Sequence, residues 1–219
     1  MDIEEKLKNI KKYVKDDVTL ICVSKTKPME LIKKVYDLGE RNFGENKVQE
    51  FLTKYDELPK DIKWHFIGTL QKNKVKYIVD KVSLLHSLDS IDLLEELEKK
   101  CQKKQCTINA LIQINMGREE NKHGILEEQL DEFLKACTNV SNVFIKGLMI
   151  VIPKGNEESC RKYFKQAYTL FSKQKGKSLN NISMEILSMG MSNDYIYAVE
   201  EGSNMVRIGQ EIFGERIYK

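Results

Sequence analysis

Two lysines stand where a β-prone run ends. Thr19 to Val23 is followed by Ser24-Lys25-Thr26-Lys27-Pro28, so Lys25 shares the face of Val23 in a period-two strand, and Lys27 shares it too if the strand continues. An amine held where water is scarce loses part of its charged form and becomes a nucleophile for a carbonyl, which is Schiff-base chemistry. The alternative is a pair of solvated loop lysines. Two further segments, Ser188-Met189-Gly190-Met191-Ser192-Asn193 and Met205-Val206-Arg207-Ile208-Gly209-Gln210, each end a β-prone run and turn on glycine. Glycine lets a ligand approach the backbone, and the N–H groups that open a following helix suit an anion such as phosphate. Ser192 fits either as a hydroxyl donor to that anion or as a helix N-cap.

The other reactive residues form no second constellation. His65 lies in Trp64-His65-Phe66-Ile67-Gly68, His86 in another β-prone run and His123 in the Gly117 to Gly124 loop, with no Asp or Ser spaced as a recognisable triad. They are expected as core or loop histidines. Five cysteines, Cys22, Cys101, Cys106, Cys137 and Cys160, form no Cys-x-x-Cys pair and have no histidine at zinc-ligand spacing. No metal site is expected, and free thiols fit a reducing compartment. Met149, Met189 and Met191 read as adaptable packing.

A scaffold must bring positions 25, 192 and 209 together. Eight β-prone runs recur along the chain: Thr19 to Val23, Asn42 to Gly44, Trp64 to Ile67, Ser83 to Ser87, Ala110 to Asn115, Val143 to Ile150, Glu185 to Met189 and Met205 to Ile208. Helical patterns lie between them, as in Leu31, Val35 and Leu38 before Gly39, and Phe164, Ala167, Leu170 and Phe171 before Gly176. Glycine after the last periodic residue is a C-cap signal, and Pro28 suits a helix start. Near-continuous apolar strands such as Leu20-Ile21-Cys22-Val23 are expected where helices cover both faces. This rhythm predicts an α/β fold, a single (β/α)8 TIM barrel over residues 1–219 with an extra N-terminal helix, against an open doubly wound sheet. In a barrel the polar strand ends converge on one face, and the turns after the seventh and eighth strands are frequent phosphate sites.

Composition narrows the function classes. The 219 residues carry 36 Lys plus Arg against 33 Asp plus Glu, a net charge of +3 with interleaved signs. That excludes a nucleic-acid footprint, which needs a basic stripe. Lys72, Lys74 and Lys76, and Lys99, Lys100, Lys103 and Lys104, read as solvated faces. The acidic opening Met1-Asp2-Ile3-Glu4-Glu5-Lys6 lacks the form of a signal peptide, and Leu148 to Ile152 is the longest apolar run. A membrane span is not expected, and a cytoplasmic location is.

The same segments carry a family likeness. In Val23-Ser24-Lys25-Thr26-Lys27-Pro28, Phe43-Gly44-Glu45-Asn46, Trp64-His65-Phe66-Ile67-Gly68, Gly147-Leu148-Met149, Ser188-Met189-Gly190-Met191-Ser192 and Val206-Arg207-Ile208-Gly209, the chain resembles the pyridoxal phosphate homeostasis proteins, a family similar to the barrel domain of alanine racemase. The match spans nearly the whole chain. The resemblance implies that Lys25 forms the aldimine with pyridoxal 5'-phosphate (PLP) while Lys27 stays outside the bond. It also implies that Ser192, Gly209 and the backbone of Gln210 hold the phosphate, that Arg207 faces the pyridine nitrogen, and that Asn46 lines the pocket.

A guanidinium does not protonate a ring nitrogen, so the ring is a poor electron sink and aminotransferase chemistry is disfavoured. Racemisation needs a second acid/base on the opposite face. In alanine racemase that group is a tyrosine of a C-terminal β-domain, and the chain as given, with eleven residues after Ile208, is not expected to hold such a domain. The resemblance therefore implies a non-catalytic, monomeric PLP-binding protein of vitamin B6 balance, with PLP-dependent apo-enzymes as candidate recipients. An amino-acid racemase or other PLP-dependent enzyme of restricted scope is the alternative, and a phosphosugar aldolase or isomerase would use the same lysine-plus-phosphate logic.

Three positions depart from the family pattern. Lys47 follows Asn46 where tyrosine is common, Thr69 follows Gly68 where proline is usual, and Gln210 stands where a threonine hydroxyl often helps hold the phosphate. Gln210 keeps its N–H but lacks the short hydroxyl, which predicts weaker cofactor retention.

Overall fold

A computed structural model describes residues 2–176 and 181–215; Met1, positions 177–180 and positions 216–219 lie outside it. Its strands are β1 (Thr19–Val23), β2 (Asn42–Glu45), β3 (Lys63–Phe66), β4 (Leu84–Leu88), β5 (Ile108–Asn115), β6 (Val143–Val151), β7 (Ile182–Met191) and β8 (Met205–Ile208). All pair in parallel and in sequence order, and β8 closes on β1 through Thr19↔Met205 and Cys22↔Ile208. Closure rules out the open doubly wound sheet. The helices are α1 (Ile3–Lys11), α2 (Met29–Asp37), α3 (Val48–Glu57), α4 (Ile91–Lys104), α5 (Leu130–Cys137), α6 (Glu157–Gln174), α7 (Tyr195–Glu200) and α8 (Gln210–Phe213). α1 is the extra N-terminal helix.

The apolar strands bury both faces. Leu20 and Cys22 belong to the large outer core, shared with helix residues such as Ile32, Val35 and Phe164. Ile21 belongs instead to a separate inner cluster with Leu84, Leu111, Met149 and Met205. Alternation along β1 thus sends one set of side chains to the helices and the other into the barrel.

Local chemistry sets the helix limits. Pro28, at φ −67, is the residue before α2, and Gly39 (φ +100) follows its end, as Gly176 (φ +91) follows α6. Ser90 Oγ accepts the Leu93 N–H at the start of α4, and Asn156 Oδ1 accepts that of Ser159 at the start of α6. Each such cap contributes about 1 kcal/mol. Between β3 and β4 the chain makes only a 3-10 turn, Lys72–Tyr77, where Lys72 and Lys76 are exposed and Lys72 pairs with Asp92 at 2.7 Å.

Gly147 has φ +149, and a Cβ there would lie 1.8 Å from the Ile186 carbonyl oxygen. It sits where the β6–β7 register shifts, between Ile145 and Gly147. A side chain at this position would force the two strands apart.

Candidate functional site at the strand carboxyl ends

β1 stops at Val23 because the backbone turns immediately afterwards. Ser24 N–H still donates to the Gly44 carbonyl at 3.0 Å, but Lys27 N–H folds back onto the Ser24 carbonyl at 3.0 Å and Thr26 adopts φ +64. Lys25 is half-buried and lines a cleft of about 790 Å³ at the barrel mouth.

Helix α3 clamps the two residues that flank Lys25. Lys54 Nζ donates to the Ser24 carbonyl at 2.8 Å and to Glu45 Oε1 and Glu50 Oε1 at 2.7 Å each, while Thr26 N–H donates to Glu50 Oε1 at 2.5 Å. Ser24 Oγ donates to Glu45 Oε1 at 2.6 Å. Lys54 and Glu45 are both buried, and burial pushes the Glu45 carboxyl above its usual range against the opposing pull of Lys54. Glu45 Oε2 is buried without a hydrogen-bond partner among the described residues.

Lys27 departs from the strand geometry that would set it beside Lys25. Its side chain is buried, and Nζ donates to the carbonyls of Phe213, Gly214 and Glu215 at 3.3, 2.8 and 2.6 Å. A charge-assisted bond to the open carbonyl end of a helix is favourable, so Lys27 anchors the end of α8 to the Lys25 turn.

The turns after β7 and β8 meet on the same cleft. Gly209 N–H donates to Ser192 Oγ at 3.3 Å, and Ser192, Arg207, Gly209 and Gln210 all line the opening with Lys25. Ser192 is not the N-cap of α7, a place taken by Asp194, whose Oδ1 accepts the Met191 N–H at 2.6 Å. A Cβ on Gly209 would lie 3.0 Å from the Val23 carbonyl oxygen, so glycine lets this turn close against β1.

Arg207, on β8, is buried, and its guanidinium reaches β7 and β6. Its Nη1 donates to Ser188 Oγ at 2.7 Å and its Nη2 to the Ile150 carbonyl at 3.0 Å. Burial lowers its pKa to about 10, and Asp194 opposes that fall, so the guanidinium stays charged at neutral pH. Burial also raises the Asp194 carboxyl, despite the Met191 N–H and the pull of Arg207.

Five of the six residues singled out from sequence, Lys25, Ser192, Arg207, Gly209 and Gln210, face one cleft. Asn46 does not line it; it stands one residue past β2, packed so closely on Gly68 that a Cβ there would lie 2.3 Å from the Asn46 carbonyl oxygen. Its Oδ1 is buried without a partner among the described residues. Sequence reasoning missed Lys154, Asp194 and Tyr197, which also line the cleft. Lys154 follows β6 as Lys25 follows β1, so the strand-end rule would have found it.

The histidines are buried core residues in β3 and β4, and His123 is an exposed loop residue 3.3 Å from Asp89. The five cysteines are free. Among the described residues no metal-ligand cluster exists and no helix is long and apolar enough to cross a membrane.

The donor set suits a phosphorylated aldehyde. It offers a half-buried amine, a hydroxyl whose oxygen already accepts from Gly209 and whose proton is left for an anion, a close-packed glycine turn and a buried guanidinium that, among the described residues, has no hydrogen-bonded carboxylate. The closed barrel and this mouth define a class, and the sequence matches the family described as alanine racemase, N-terminal domain, over residues 2–217. The pyridoxal phosphate homeostasis protein of Aquifex aeolicus is 44% identical over 201 residues, which span 91% of this chain and 87% of that protein. PipY of Synechococcus elongatus superposes at TM-score 0.91 without PLP and 0.88 with PLP bound, at 33% and 32% identity, covering 97% of this chain and 100% of PipY. The alanine racemase of Clostridium difficile shares the fold alone, at TM-score 0.82 and 13% identity over 98% of this chain and 56% of that one. The chain belongs to the family of pyridoxal phosphate homeostasis proteins.

Proposed function

We propose that this chain binds pyridoxal 5'-phosphate, carries it as a Schiff base on Lys25 and serves its homeostasis without catalytic turnover. The observation that carries this reading is the convergence of Lys25, Ser192, Arg207 and Gly209 on one cleft. It is supported by the names of the relatives and by the PLP bound in PipY. When bound, the cofactor supplies an electrophilic aldehyde and an electron-accepting ring.

The chain's own residues do the rest. Lys25 provides the amine, Ser192 the hydroxyl proton, Gly209 the close-packed turn and Gln210 the backbone N–H for the phosphate, while Arg207 would face the ring nitrogen and leave it unprotonated. Asn46, packed behind Gly68 with an Oδ1 unpartnered among the described residues, supports the pocket wall rather than lining it. A ring held in that state stabilises a carbanion poorly, which favours storage and release over turnover. Cytoplasmic PLP-dependent apo-enzymes are the recipients, and the working unit is a monomer.

The test is the absorption spectrum of the purified protein with PLP before and after borohydride, with peptide mapping and Lys25→Ala as control. A yellow protein reduced at Lys25 supports the reading; an adduct scattered over surface lysines overturns it. Incubation with amino acids in deuterium oxide separates the binder from a racemase. Rapid exchange of the α-proton with inversion would favour the enzyme.

A further inference from the structure

A chain of hydrogen bonds crosses the barrel interior behind Arg207. Arg207 Nη1 donates to Ser188 Oγ (2.7 Å), Ser188 Oγ lies 3.3 Å from His86 Nδ1, His86 Nε2 lies 3.0 Å from His65 Nδ1, and His65 Nε2 lies 3.3 Å from Asn42 Oδ1. The five residues come from β8, β7, β4, β3 and β2. Four of them are buried, and Asn42, at the opening of β2, is half-buried.

The polarity of this chain follows from its guanidinium end. Arg207 is donor only. Ser188 Oγ therefore accepts from it, and the hydroxyl proton has one acceptor in reach among the described residues, His86 Nδ1. His86 then carries its proton on Nε2 and donates to His65 Nδ1, and His65 donates from Nε2 to Asn42 Oδ1. Every dipole points its negative end at Arg207. Among the described residues no carboxylate is hydrogen-bonded to the guanidinium, so the aligned neutral groups take the part of a counter-ion.

We propose that Asn42, His65, His86 and Ser188 form a polarised chain of positioning residues that fixes the orientation and charge of Arg207 toward the bound cofactor. The inference rests on the PLP-binding reading above. A carboxylate in the same place would neutralise the guanidinium; a chain of neutral imidazoles holds it in place and leaves its charge directed at the cleft. Loss of the remote acceptor Asn42 frees His65 to change tautomer, and the change passes through His86 and Ser188 to Arg207.

The first measurement is nitrogen-15 NMR of the imidazoles in the cofactor-free protein. Both His65 and His86 should be neutral Nε2–H tautomers from pH 5 to 8, and Ser188→Ala should release His86 into a mixture of tautomers. The second is PLP titration of Asn42→Ala, in which the dissociation constant should rise roughly three- to tenfold with a shifted absorption band. Asn42→Asp, which keeps an acceptor, should restore both. An Nδ1–H tautomer at His86, or a folded Asn42→Ala with unchanged tautomers, affinity and spectrum, overturns the proposal. A wild-type protein that takes up no PLP while showing the stated tautomers overturns the underlying reading instead, so the two failures are distinguishable.

Discussion

Lys54 Nζ lies 2.8 Å from the Ser24 carbonyl oxygen, so a lysine of α3 holds the backbone of the residue that precedes Lys25. The same ammonium compensates the buried carboxylate of Glu45 at 2.7 Å. Removing one partner of a buried pair costs about 3–5 kcal/mol, because the other charge remains in a low-dielectric site. Lys54→Met should lose that much stability in urea unfolding and should slow borohydride capture at Lys25. The double variant Glu45→Gln with Lys54→Met should recover part of the stability and none of the capture rate.

Gly147 and Gly176 both have positive φ, yet their substitution should differ widely. A Cβ on Gly147 meets the Ile186 carbonyl at 1.8 Å, whereas a Cβ on Gly176 meets nothing within 4 Å. Gly176→Ala should cost about 1–2 kcal/mol, the backbone penalty alone. Gly147→Ala adds a clash between two core strands and should exceed about 4 kcal/mol, read as loss of soluble, cooperatively melting protein.

Burial in the barrel lowers His65 from its ordinary 6.5 to about 3, with the Lys63 charge adding to the effect, and His86 moves in the same direction. Below pH 6.5 the unfolded chain binds protons that the folded one refuses. The stability contributed by His65 is therefore full above 6.5 and is lost as the pH falls toward 3, at up to about 1.4 kcal/mol per pH unit. Urea midpoints measured between pH 7 and 5 should fall accordingly, and His65→Asn should flatten that slope by about one proton.

Gln210 opens α8 on the cleft, where it offers a backbone N–H and a long amide side chain. Gln210→Thr adds a short hydroxyl donor beside the proposed phosphate position. One such bond to a charged group contributes about 1.5 kcal/mol, so the PLP dissociation constant should fall about tenfold in a spectroscopic titration. An unchanged constant would place the phosphate away from residue 210.

The strands were readable because their signal is local. β1 and β8 fall on Thr19–Val23 and Met205–Ile208 as the apolar runs predict, while β7 begins at Ile182, before the Glu185 that its pattern suggests. The early part of β7 is set by pairing, as in Ile145↔Ile182, and pairing leaves no mark in a short window. The site divides in the same way. Lys25, Arg207 and the glycine turns sit at strand ends, where chain order alone predicts convergence. The route of Lys27 under α8 depends on φ +64 at Thr26, which no residue type there announces.

By itself the sequence determined the alternation of strand and helix, the caps, and the placing of an amine, a guanidinium and two glycine turns at strand ends. These depend on side-chain periodicity and backbone preference within about a dozen residues. Tertiary structure alone decided that the sheet closes, that Asn46 stays off the cleft, and that His86 meets Ser188 from 102 residues away. The physical reason is that closure and register are properties of all eight strands together, and hydrogen bonds across a barrel interior exist only once that register is made.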